Sequence, residues 1–255
     1  MQLFKKLLNP LISCAPVLIG FILWETFAAS TSTNFPPPSL WLASILKLNK
    51  NHQFYSALLE TLWTFGIGLF IASFLGFVIG LLIGTSHTFK IWIAYVLEFF
   101  RCLPPPVIIP IAVLILGYSP TMKITVIVIA SIWPILLNVV SAINQLGNGL
   151  FEMGKTLHLN RVDILRKLLI PAILPGFLIG ISVAAPLAVI ITLLIEMLTA
   201  MPGLGGLMIA GQRNFNASQV FGILIVVGIV GLAVNQLSLF LEKILLAYKP
   251  PKTQR

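Results

Sequence analysis

The sequence predicts an all-α, polytopic membrane protein of about six transmembrane helices, on three observations. Of its 255 residues, 58% are hydrophobic and only 9% charged, with a mean hydropathy of +1.03; soluble domains carry roughly a quarter of their residues as charges. Apolar runs recur along the chain at the length of about 20 residues that a helix needs to cross a bilayer. The basic residues behind the net charge of +9 stand at the ends of those runs. They set orientation in a membrane there, and no polar domain with interleaved aromatics offers them to nucleic acid. The whole chain, 1–255, reads as one transmembrane domain with a core over 55–247.

The first run, Leu11 to Ala29, follows Lys5-Lys6 in the manner of a signal peptide. Pro10, Pro16 and Trp24-Glu25 argue against cleavage, so it reads as an uncleaved first helix. A polar, proline-rich segment, Ser30 to Asn51, then holds an amphipathic stretch at Leu40 to Leu48. The second span, Tyr55 to Ile83, carries Gly76, Gly80 and Gly84. That spacing lets another helix approach closely, in this chain or in another. The third, Ile91 to Gly117, is interrupted by Pro104-Pro105-Pro106 and by Pro110, which remove backbone donors and exclude a continuous helix. Broken backbone at membrane depth is tolerated where protein or a water-filled cavity satisfies it, so the break points to a pathway.

The fourth span runs from Ile124 to about Val140. Next comes a charged insert within Glu152 to Gly180, the core of a loop over 146–173 that holds Lys155, Arg161, Asp163, Arg166 and Lys167. Asn148 is a candidate cap for a short helix through Leu157, with Glu152 favourably placed in its first half. Asn160 starts a second helix, with Asp163 in a capping-box-like relation, that is expected to end at Pro171. The fifth span, Leu174 to about Leu198, holds Glu196 near its end. A glycine-rich loop, Pro202 to Gly206, and a polar run, Gly211 to Ser218, lead to the sixth span, Val220 to Leu245, and a basic tail.

With the N-terminus inside, the inner face collects Lys5, Lys6, Lys90, Lys155, Arg161, Arg166, Lys167, Lys243, Lys249, Lys252 and Arg255. The outer face has Lys47, Lys50, Lys123 and Arg213. This bias places both termini and the charged insert in the cytoplasm.

Ionisable groups inside spans face a bundle interior or a cavity. Glu98 and Arg101, three residues apart on one helix face, form an internal salt bridge on one reading. On another, Arg101 stands with Glu98, Pro104, Pro105 and Glu196 along the translocation pathway, where it attracts anions. Glu196 is a helix-end charge at the interface, a gate or a packing group. Catalytic constellations are missing from the sequence: His52, His87 and His158 lie apart, and Cys14 and Cys102 have no metal-ligand spacing. With no Gly-x-x-x-x-Gly-Lys-Ser/Thr motif, the chain is expected to be no enzyme by itself.

The run Glu152-Met153-Gly154-Lys155-Thr156-Leu157, followed by Leu169-Ile170-Pro171-Ala172-Ile173-Leu174-Pro175-Gly176, resembles the EAA loop of binding-protein-dependent ABC importer permeases. Phe35-Pro36-Pro37-Pro38-Ser39, the glycine-rich second span, Arg101-Cys102-Leu103-Pro104-Pro105, and Glu196 with Gly203-Leu204-Gly205 resemble segments of the nitrate/sulfonate/taurine-type subgroup in the same order. The resemblance implies a permease subunit that moves a small solute such as nitrate, sulfonate, taurine or bicarbonate across the bacterial inner membrane. It also implies a second copy of the chain, a periplasmic or lipid-anchored solute-binding protein, and a cytoplasmic ATP-binding subunit that holds the ATP-Mg. Glu152, Met153, Gly154, Lys155, Leu157, His158 and Leu159 would then form the coupling helix. Met153 and Gly154 replace the family's alanines, and His158 its glycine, where a left-handed residue ends the helix. A secondary transporter or a membrane scaffold without an ATPase partner is the alternative. The former calls for internal repeats and mid-membrane coupling residues.

Overall fold

The fold was analysed from a computed structural model, which describes residues 16, 19–28, 35–50, 52–86, 98–99, 103–147 and 149–245. The described elements are helices: α1 (19–27), α2 (Pro38–Lys50), α3 (Gln53–Thr85), α4 (Pro105–Leu116), α5 (Pro120–Leu146), α6 (Gly149–Thr156), α7 (Arg161–Thr199), α8 (Leu204–Arg213) and α9 (Ala217–Leu245). Among them α3, α5, α7 and α9 are long and apolar enough to cross a membrane. The start of the first expected span, and the first part of the third, lie outside the described residues.

The centre of the bundle is α5, pressed between α3 and α7. Helix α3 turns a stripe of small residues inward, including Gly68, Ala72, Gly76 and Gly80. Lipid provides no hydrophobic drive for helix association, so close backbone approach and dense packing must supply it. Gly68 faces Ile127, Gly76 faces Ile135, Gly80 faces Val139 and Gly84 faces Ile143. The offset between partners is constant, so α3 and α5 run parallel, and the glycine face meets a helix of its own chain. Gly176 and Gly180 let α7 approach α5 at Ala142 and Ile135 in the opposite sense. Two apolar clusters fill the seams. One gathers Met122, Val126 and Ile127 with Ile191 and Ile195; the other gathers Val139 and Ile143 with Leu169 and Ile173.

Several expected boundaries shift. The proline run does interrupt the chain, but at one residue: Pro104 is extended (φ −65°, ψ 129°), while Pro105 and Pro106 sit in the first turn of α4. Their missing N–H groups fall where a helix has no partner for them. Pro110 lies inside α4 rather than breaking it. The fourth span starts earlier than Ile124, at Pro120, because Ser119 Oγ accepts the Met122 N–H at 3.2 Å. The second helix of the charged insert does not end at Pro171: α7 continues through it to Thr199. The turn before the proline, Ile164–Leu169, is a π-helix in which the Ile170 N–H reaches Leu165 O. A wider turn relieves the clash and the lost donor that a proline imposes on the preceding α-turn. The glycine-rich loop is likewise shorter than expected, since α8 begins at Leu204.

The amphipathic stretch is confirmed as α2, held on α9. Trp41 stacks on Phe221 with centroids 5.3 Å apart and donates from Nε1 to Pro36 O, while Glu25 Oε2 accepts the Ser39 N–H at the start of α2.

Candidate functional site

Two polar regions stand at opposite ends of the bundle. At one end, α6 and the start of α7 form a helical hairpin. Helix α6 closes with paired bonds, His158 N–H to Lys155 O and Leu159 N–H to Gly154 O, both 3.0 Å. This Schellman arrangement requires a left-handed residue, and His158 adopts it at φ 53°. The expected left-handed turn is therefore present, with histidine in the place that favours glycine. Asn160 Oδ1 accepts the Asp163 N–H at 2.8 Å and caps α7, as expected; Asn148 lies outside the described residues.

The hairpin divides the coupling residues into two sets. Gly154 is buried and faces back into the chain, where a Cβ would stand 2.7 Å from Ile164 Cγ1. Glu152, Lys155 and His158 are exposed, Leu159 is half-buried, and Met153 and Leu157 are 56% and 60% exposed. Lys155 and Arg161 also line a cavity of about 480 Å³ beside Thr85 and Leu169.

At the other end lies a charged cluster that the sequence reading did not assemble. Lys123, the second residue after the α5 cap turn's Thr121, is fully buried. Its Nζ donates to Glu196 Oε1 at 3.1 Å, to Pro202 O at 3.0 Å and to Glu60 Oε1 at 3.4 Å, which accounts for all three ammonium protons. Glu196 is equally buried. Its Oε2 accepts the Gly205 N–H at 3.0 Å, and Thr61 Oγ1 stands 3.1 and 3.0 Å from its two oxygens while accepting the Leu204 N–H. One carboxylate thus ties α3 and α5 to the turn between α7 and α8. Glycine at 203 is required twice: φ is +143°, and a Cβ would run into the Glu196 carboxylate.

Lys123, counted from the sequence among the outer-face basic residues, is buried, and Glu196 is paired with it inside protein rather than standing as an interfacial helix-end charge. The missed signal was the position of Glu60, Lys123 and Glu196 at the same end of successive aligned spans. Opposite charges in apolar helices are expected to seek each other. Above the cluster, a cleft of about 440 Å³ is lined by Gln53, Ser56 and Glu60 from α3 and by Pro202, Gly203 and Gly206. Pro104 and Pro105 belong to the start of α4, Glu98 is helical, and Arg101, with the Glu98–Arg101 pairing, lies outside the described residues.

The family model described as the binding-protein-dependent transport system inner membrane component matches residues 72–247. A bicarbonate transport system permease protein of Synechocystis sp. is 26% identical over 241 residues, covering 89% of this chain and 86% of its own. A nitrate import permease protein of the same organism is 25% identical over 248 residues, covering 94% and 89%. Among solved structures, the inward-facing MetNI methionine ABC transporter matches with a TM-score of 0.66 at 19% identity, over 77% of this chain and 98% of that one. At that identity the match speaks for the fold.

Proposed function

The chain belongs to the family of binding-protein-dependent transport system inner membrane components, and on that premise we propose that it is the permease subunit of an ATP-driven importer whose ATP-hydrolysing step occurs on a separate cytoplasmic subunit. The observation that carries this reading is the α6 hairpin. It is a short helix with a fixed end, seated on α7 through Gly154 and Ile164, that presents Met153 and Leu157 away from the bundle. Exposed apolar side chains outside the spans suit a protein partner. Helix α7 runs without interruption from the hairpin to Thr199, so a push on α6 is delivered to the far end of the bundle by a rigid element.

In this reading Glu152, Met153, Lys155, Leu157 and His158 meet the ATP-binding subunit, which holds the ATP-Mg, while Gly154 and Leu159 position the helix. The hairpin and both termini lie in the cytoplasm, as the basic residues favour. The opposite end receives solute from a periplasmic or lipid-anchored receptor, and a second copy of the chain completes the pathway. The solute carries a small oxyanionic group, as the names of the bicarbonate and nitrate permeases suggest. Affinity purification of the tagged chain from its own cells tests the assembly. The ATP-binding subunit is expected to co-purify, and Met153→Asp with Leu157→Asp should reduce its recovery by at least about tenfold, since a charge would be buried in an apolar contact. Unchanged recovery would refute the contact.

A further inference from the structure

The cations at the hairpin end of the bundle are unequally matched. Lys167 is held by Asp163 at 2.9 Å, one turn away on the same helix. Lys155 and Arg161 have no carboxylate partner among the described residues, and both line the cavity of about 480 Å³. Arg161 is also the first residue of α7, where the free N–H groups and the helix dipole favour an anion over a cation. The acid of that turn, Asp163, is taken up by Lys167. Two positive charges and a helix start therefore converge on one space, and among the described residues no acid lines it.

The walls of the cavity have the opposite character. Ile164, Leu165 and Leu169 belong to the π-turn, whose wider circuit brings residues four and five apart onto one face. Leu169 is buried, whereas Lys155 and Arg161 are exposed, so the charges stand outside an apolar floor. Thr85, on the remaining side, is the last residue of the α3 span. The cavity thus lies at the level where a membrane span ends.

A phosphodiester carried on acyl chains presents charge and hydrocarbon in that same order. We propose that the cavity binds the head group of an anionic phospholipid from the leaflet on the hairpin side. Lys155 and Arg161 take the phosphate, and Ile164, Leu165 and Leu169 pack on the glycerol and the first methylenes. Basic pockets beside spans at a membrane surface suit acidic head groups, and a guanidinium offers paired donors to phosphate oxygens. A soluble phosphate would engage the cations and leave the apolar wall uncovered. Because α3, α6 and α7 all contribute to the lining, the lipid fastens the hairpin to the end of α3. The site needs only the spans and the cavity, so it stands apart from the importer reading.

The purified full-length chain in detergent is titrated with dioleoylphosphatidylglycerol and, separately, with dioleoylphosphatidylcholine, and bound lipid is counted by native mass spectrometry. Removing both cations, Lys155→Gln with Arg161→Gln, should weaken phosphatidylglycerol binding about thirtyfold while phosphatidylcholine binding stays within about twofold. Arg161→Lys keeps the charge and should lose no more than about fivefold. Arg166→Gln with Lys243→Gln removes the same net charge outside the cavity, and should change phosphatidylglycerol binding by no more than about twofold. All these side chains are exposed, and the phosphatidylcholine arm reports that the fold is kept. Glycerol phosphate, the head group without its acyl chains, should fail to displace the lipid at equal concentration. Equal losses in the two double variants would reduce the effect to net charge, and equal binding of the two lipids by the parent would remove the preference for an anion. Displacement by glycerol phosphate would assign the cavity to a soluble phosphate. Any of the three overturns the lipid site, and none of them depends on whether an ATP-binding subunit co-purifies.

Discussion

Replacing Lys123 with Met should destabilise the protein by about 3–5 kcal/mol, the usual cost of removing one partner from a buried ion pair. The size follows from what is left behind. Glu196 is fully buried and would keep only Thr61 and the Gly205 N–H, while Pro202 O would lose its donor. The length of the aliphatic stem is nearly preserved, so the loss is electrostatic rather than a cavity. For a chain of this size the shift corresponds to a Tm lowered by roughly 6–20 °C. Thermal unfolding followed by size exclusion in detergent reads it directly. The double variant Lys123→Met/Glu196→Gln supplies the control. A neutral amide can still accept from Gly205 N–H, so at least about half of the loss should return. A single variant within about 1 kcal/mol of the parent, or a double variant worse than the sum of its parts, would refute the pairing as the reason these charges are buried.

Gly203→Ala should unseat the α7–α8 turn, since φ +143° disfavours any side chain and the new Cβ meets Glu196; a loss of about 2–4 kcal/mol is expected in the same unfolding assay. His158→Gly should stabilise the hairpin by about 0.5–1 kcal/mol, the left-handed strain relieved less the added chain entropy, and hydrogen exchange at the Leu159 amide should slow accordingly. Gly154→Val should push α6 off Ile164 and lower recovery of the ATP-binding subunit, although Gly154 is buried and faces its own chain. Cross-linking from Met153 would then shift position rather than vanish, which separates displacement from a lost contact.

Much of the fold is legible in the residues themselves. Hydropathy located the long spans, the Gly76–Gly80–Gly84 face announced a close helix contact, and Asn160 capped the helix it was expected to cap. These are local signals, carried by residues a few positions apart. The charged cluster was not legible because its partners are far apart in sequence: Lys123 to Glu196 and Thr61 to Glu196 are contacts of tertiary packing. Read singly, Lys123 looks like a loop charge between apolar runs, and Glu196 like a helix end. Pro171 misled for a different reason. A proline ends an ordinary α-helix, but the π-turn at Ile164–Leu169 absorbs it, and a six-residue widening leaves no mark in composition. His158 could be placed at a left-handed position only through the resemblance of the loop to the family pattern, which has glycine there; its φ of 53° follows from the cap, and histidine tolerates that region better than most side chains.

The most direct measurement is uptake into proteoliposomes containing the chain with its ATP-binding subunit and solute receptor, with ATP-Mg supplied on the hairpin side. Uptake should require ATP hydrolysis and should fall to background when Met153 and Leu157 are both replaced by Asp, with the permease still folded. Uptake that runs on an ion gradient without ATP, or that ignores the altered hairpin, would contradict the assignment of this chain as the permease of an ATP-driven importer.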